Sequence, residues 1–94
     1  MEVNEERLSR AISAYSRRLI LRLLADQELT VKEIAQSTQM SVSLASRHLK
    51  FLYDLGFLTV RKVYPYKYYS LKIKEMVSLL EMYDKVIKKL WELM

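Results

Sequence analysis

A chain of 94 residues is long enough for one compact domain and too short for two. Its 51% hydrophobic and 29% charged residues exclude a disordered polypeptide. With no cysteine, disulfides, thiolate metal sites and cysteine nucleophiles are excluded, and a net charge of +5 leans the chain toward acidic partners.

That charge is unevenly placed. Residues 34–74 carry seven bases against one acid, Asp54, for +6, while the nine bases and ten acids elsewhere leave −1. A segment that faces a polyanion is expected to look like this, whereas a merely solvated surface spreads its charge. No apolar run approaches the ~20 residues of a membrane span, and the acidic start is unlike a signal peptide. A cytoplasmic protein that does not engage membranes is expected.

In chain order, Asn4 is placed to cap a helix whose first turn holds Glu5 and Glu6, favourable near the positive end of its dipole. Leu8, Ile12, Tyr15, Leu19 and Leu23 recur at helical spacing, predicting one helix over 4–25 or two with a break between Ser13 and Ser16. Thr30 and Glu33 form a capping-box pattern for a short helix from Val31 to about Ser37. After a turn from Thr38 to Ser41, Ser41 caps a further helix with Ala45, Leu49 and Leu52 inside, and Gly56 stands where a left-handed cap stops it. Residues 31–55 therefore read as a helix-turn-helix.

Residues 57–71 read as a β-hairpin wing, with Phe57 to Val63 and Lys67 to Leu71 as strands and Tyr64, Pro65 and Tyr66 between them. Over 72–94 no breaker interrupts a three-four spacing of Ile73, Met76, Leu80, Tyr83, Ile87, Leu90 and Met94. Val77, Leu79, Val86, Trp91 and Leu93 widen this stripe beyond one two-stranded seam. A helix of ~33 Å with apolar surface for more than one neighbour follows.

Taken together, Ser16-Arg17 with Ile20-Leu21, Leu29 to Ala35, Ser43-Leu44-Ala45-Ser46-Arg47-His48-Leu49-Lys50 with Leu52 and Gly56, and Tyr68-Tyr69-Ser70-Leu71 resemble the ArsR-like winged-helix regulators. The resemblance implies a mainly α winged helix-turn-helix with a small β-hairpin wing. It also implies a homodimer joined through its first and last helices, with each recognition helix in a major groove of double-stranded DNA. Leu8, Ile12, Tyr15, Ile73, Met76, Leu80, Tyr83, Ile87, Leu90, Trp91 and Met94 are the interface residues expected on that arrangement.

The residues themselves support the placement. Ser43, Ser46, Arg47 and Lys50 share one face of the helix capped by Ser41, opposite its apolar side. Small hydroxyls let that face approach base edges, Arg47 is suited to guanine acceptors or phosphate, and Leu44 to a thymine methyl. Arg61, Lys62 and Lys67 flank the wing tip, where Tyr64, Pro65 and Tyr66 replace the glycine-arginine turn of many relatives. Lys67 is the substitute phosphate contact, while Tyr64 and Tyr66 pack either on the sugar backbone or within the domain.

His48 is the sole histidine and is expected at the edge of the core beside Leu44, Phe51 and Leu55. Strand alternation places one ring of the Tyr68-Tyr69 pair inside and one outside. Soft-metal sensing, common in such regulators, is rejected because cysteine and a second histidine are lacking. No cofactor, small-molecule effector or catalytic constellation is identifiable, so no enzyme is expected. Sequence-specific regulation, with repression as its simplest mechanism, competes with an architectural role on DNA and with a winged helix used for protein interaction alone.

Overall fold

A computed structural model describes residues 2–94. Five helices and one hairpin follow in the order α1 (Glu2–Ile12), α2 (Tyr15–Leu23), α3 (Val31–Thr38), α4 (Val42–Leu55), β1 (Leu58–Val63), β2 (Tyr66–Leu71) and α5 (Glu75–Glu92). This is the winged helix-turn-helix architecture that the sequence predicts.

The break between α1 and α2 falls at Ser13 and Ala14, and its chemistry is unusual. The terminal carbonyls of α1 are satisfied by arginines of the next helix rather than by a glycine cap. Arg17 Nη2 donates to the Arg10 carbonyl at 2.8 Å and Nε to the same oxygen at 3.1 Å, while Arg18 Nη1 donates to the Ile12 carbonyl at 2.7 Å. At the other end, α1 begins at Glu2, so Asn4 lies inside the first turn and does not cap it. Nothing in the preceding residues breaks a helix, and the early acids favour its positive end.

The next two starts follow their capping residues. Thr30 Oγ1 accepts from the Glu33 amide while the Glu33 carboxylate accepts from the Thr30 amide, and the Ser41 hydroxyl accepts from the Leu44 amide at 3.0 Å. The turn between α3 and α4 passes through Gln39 in the left-handed region at φ 59°. Gly56 ends α4 at φ 97°, a conformation that L side chains adopt at a cost.

The strands pair antiparallel from Leu58 with Leu71 to Val63 with Tyr66. The loop is thus two residues, Tyr64 and Pro65, joined by a cis peptide bond, and Tyr66 is the first residue of β2 rather than part of the tip. Leu29 and Tyr69 exchange amide-to-carbonyl bonds of 3.0 and 2.8 Å, which ties the wing to the chain just before α3.

Ala11, Ile20, Leu21, Leu24, Ile34, Ala45, Leu49 and Leu52 are buried at the centre of the core, with Phe57, Leu58 and Leu71 closing it at the hairpin base. The last helix starts at Glu75, three residues later than its spacing suggests. The Lys72 amide still serves the hairpin by donating to the Phe57 carbonyl at 3.0 Å, and Lys72 and Lys74 are unfavourable at the positive end of a helix. Only Met76 and Leu80 of α5 are fully buried, and every residue from Asp84 onward is exposed. The second half of α5 therefore projects from the body of an elongated molecule of 50 × 32 × 22 Å.

Candidate nucleic-acid interface

The face of α4 opposite its buried Ala45, Leu49 and Leu52 carries Ser43, Ser46, Arg47 and Lys50, all exposed, while Leu44 is half-buried near the helix start. The hairpin packs beside α4 so that Ser46 and Lys50 line one groove with Lys62 and Lys67 of the wing, of about 330 Å³. Tyr53 and Tyr69 complete its walls with Val60 and Asp54. A second groove of about 420 Å³ runs from Lys67 and Tyr66 to Thr30, Lys32 and Val42. Lys67 borders both, so wing and helix-turn-helix present one basic surface.

Two of the expected cations are otherwise engaged. Arg61 Nε donates to both Glu28 carboxylate oxygens at 3.0 and 3.1 Å, and its guanidinium lies 4.8 Å from the Tyr68 ring centroid. The hydrogen bond from Arg61, more than its charge, holds the Glu28 carboxyl below its ordinary value. Arg61 is thereby fixed as a brace between the wing and the segment before α3. Lys50 Nζ lies 2.9 Å from Asp54 Oδ2 one turn on, a contact that raises the lysine's pKa. Arg47, Lys62 and Lys67 have no ion-pair partner among the described residues.

At the wing tip Tyr64 is 97% exposed, and Tyr66 stacks at a tilt against Tyr68 with centroids 6.3 Å apart. Tyr64 thus has no place in the domain core, whereas Tyr66 belongs to an aromatic surface along β2. Tyr69 packs against the core, and burial raises its hydroxyl pKa. Tyr68, opposite Arg61 across the hairpin, stays on the other face. His48 is half-buried; burial first, then the charges of Arg17 and Arg47, push its imidazole below the ordinary range.

The residues expected at a dimer interface separate into two groups. Met76 and Leu80 are each 3% exposed and belong to the chain's own core, with Leu8 and Ile12 packed half-buried against it. Met76 and Leu80 have almost no surface left for a partner, because the first turns of α5 lie against the domain. Tyr83 is half-buried beneath the Arg18 guanidinium, 5.1 Å from its ring centroid, and Asp84 pairs with Arg22 at 2.7 Å. Tyr15, Ile73, Ile87, Leu90, Trp91 and Met94 are exposed, together with Leu79, Val86 and Leu93. Val3 and Met82 join them and were not expected. A second three-four stripe through Leu79, Met82, Val86, Leu90 and Leu93 is the pattern that finds Met82.

Among the described residues, no helix is long and apolar enough to cross a membrane. A comparison with curated proteins finds no match. The family model for bacterial regulatory proteins of the arsR family matches residues 16–60, from α2 into β1. Among solved structures, the transcriptional regulator HlyU from Vibrio vulnificus is 35% identical, with a TM-score of 0.73 over 90% of this chain and 88% of that one. HlyU from Vibrio cholerae is 28% identical, with a TM-score of 0.80 over 90% of this chain and 92% of that one. The homodimeric winged helix-turn-helix DNA-binding domain of Mb0332 from Mycobacterium bovis is also 28% identical, at 0.80 over 92% and 80%. The family match takes in the capped helices and the polar face of α4 and ends within the first wing strand, the solved structures extend the likeness over the rest of the fold, and the chain belongs to the ArsR family of winged helix-turn-helix transcriptional regulators.

Proposed function

We propose that this regulator binds double-stranded DNA sequence-specifically as a homodimer, within the cytoplasm, and represses transcription by occupying a promoter. The observation that carries the reading is the single basic surface of α4 and wing, on which Ser43, Ser46 and Arg47 stand exposed beside Lys62 and Lys67, neither of which has an ion-pair partner among the described residues. Ser43, Ser46 and Arg47 read base edges, with Leu44 against a thymine methyl and Ser41 at the helix start near the backbone. Lys62 and Lys67 meet phosphates, Lys50 joins them by exchanging Asp54 for the duplex, and Tyr64 and Tyr66 pack on sugars at the wing tip. Arg61 contributes by holding the wing in place through Glu28. The family is one of regulators rather than enzymes.

The dimer joins two such surfaces through the projecting half of α5 with Tyr15 and Ile73, which places half-sites about 34 Å apart on one face of the duplex. Selection of bound duplexes from a random pool tests the reading. Enrichment of a two-fold symmetric sequence is expected, with affinity falling steeply as salt rises. Arg47→Ala is expected to cost about 1–3 kcal/mol of discrimination at one base pair of each half-site. Equal affinity for selected and random duplexes would replace specific regulation by an architectural role, and a stable monomer indifferent to DNA would leave protein interaction.

A further inference from the structure

Two arginines outside that surface crowd against the flank of α4. The guanidinium carbons of Arg10, at the end of α1, and Arg17, at the start of α2, lie 5.4 and 4.7 Å from the centroid of the Phe51 ring. Phe51 stands one helical turn beyond Arg47, with His48 between them. No carboxylate pairs with Arg10, Arg17 or Arg47 among the described residues. Burial and the neighbouring Arg10 charge push the Arg17 guanidinium below its ordinary value.

Like charges gather at a cost that the ring face offsets only in part. Arg17 directs Nε and Nη2 at the end of α1 and at Ser13 Oγ, but its Nη1 donates to nothing among the described residues. The Arg10 guanidinium donates to no described residue at all. With Arg17 Nε and Nη2 taken by the end of α1, the free fork is that of Arg10, and a planar guanidinium matches two oxygens of a phosphate.

Position on α4 identifies which phosphate. A recognition helix offers its N-terminal residues to the bases, and Phe51, nine residues after Val42, lies about 14 Å along the axis at 1.5 Å per residue. We propose that Arg10, beside the Phe51 ring and reinforced by the neighbouring charge of Arg17, clamps a DNA backbone phosphate at the lip of the major groove, beyond the reach of the recognition face and wing. This clamp rests on the duplex-binding reading above. It makes the junction of α1 and α2 part of the interface.

The test compares the 94-residue chain with its Arg10→Ala and Arg10→Lys variants on the duplex that the wild type selects. Across a salt series, Arg10→Ala is expected to flatten the slope of log affinity against log salt by about 0.9, one phosphate's worth of counterion release. On a fourfold rise in salt the wild type then loses about threefold more affinity than the variant. Arg10→Lys is expected to keep the wild-type slope, and ethylation interference to lose one phosphate in Arg10→Ala that Arg47→Ala retains. An unchanged slope in Arg10→Ala, with a steep wild type, would overturn the clamp and leave DNA binding intact. A flat wild-type slope would remove both. Inorganic phosphate raising the melting temperature of the wild type more than that of Arg10→Ala, with equal DNA slopes, would assign the clamp to a free anion instead.

Discussion

His48 shows how a residue identified by sequence acquires its chemistry from neighbours that sequence does not reveal. Burial, then Arg17 and Arg47, hold its folded-state pKa below the unfolded value, which is about 6.5. As pH falls through about 6.5 the unfolded chain takes up the proton first, so this residue contributes a loss of stability that stops growing only below the folded pKa. Urea midpoints at neutral pH and at about pH 5.5, a unit below the unfolded pKa, should therefore fall further in the wild type than in His48→Gln. Equal falls would mean that the imidazole is as easily protonated folded as unfolded. The exposed run of Ser43, Ser46, Arg47 and Lys50 is legible from helical spacing alone. The fate of Arg61 is not: its partner Glu28 lies 33 residues away and is brought near only when the wing docks on the segment before α3.

At the scale of elements, local chemistry accounts for most boundaries and tertiary contacts for the exceptions. Thr30 with Glu33, Ser41 and Gly56 each act within a few residues of themselves, and the helices begin and end where they stand. Gly56→Ala isolates one such local term, since an added Cβ there meets nothing within 4 Å. The positive φ alone should cost about 1–2 kcal/mol in denaturant unfolding, and Gly56→Asn should lose less, because asparagine visits that region more readily. A neutral Gly56→Ala would show that the end of α4 relaxes out of the left-handed conformation. The exceptions are α1, whose C-terminal carbonyls are met by arginines of α2, and the delayed start of α5, where the Lys72 amide is held by Phe57.

The whole molecule leaves half of its last helix outside its own core. Leu90 and Trp91 are 56% and 70% exposed, alongside Val86, Leu93 and Met94. Charge placed there should separate a dimer without unfolding the domain: Trp91→Glu is expected to sediment as a monomer with a melting temperature that no longer depends on protein concentration. Its affinity for a two-half-site duplex should fall toward that for one half-site, because the second contact is no longer intramolecular. A Trp91→Glu protein that remains dimeric would move the interface away from this half of α5.

By itself, the sequence determined the helix-turn-helix, the hairpin and the basic face of α4, because caps, turn residues and hydrophobic periodicity act over a few residues. It also marked the last helix as more apolar than one neighbour requires. Only the tertiary structure decided how that stripe is divided, with Met76 and Leu80 taken into the core and the turns after Asp84 left outside. It alone decided which cations are occupied, with Arg61 held by Glu28 and Arg10 left beside Phe51. These outcomes depend on contacts between distant segments, and a one-dimensional pattern shows that a side chain is apolar or charged without showing which neighbour it meets.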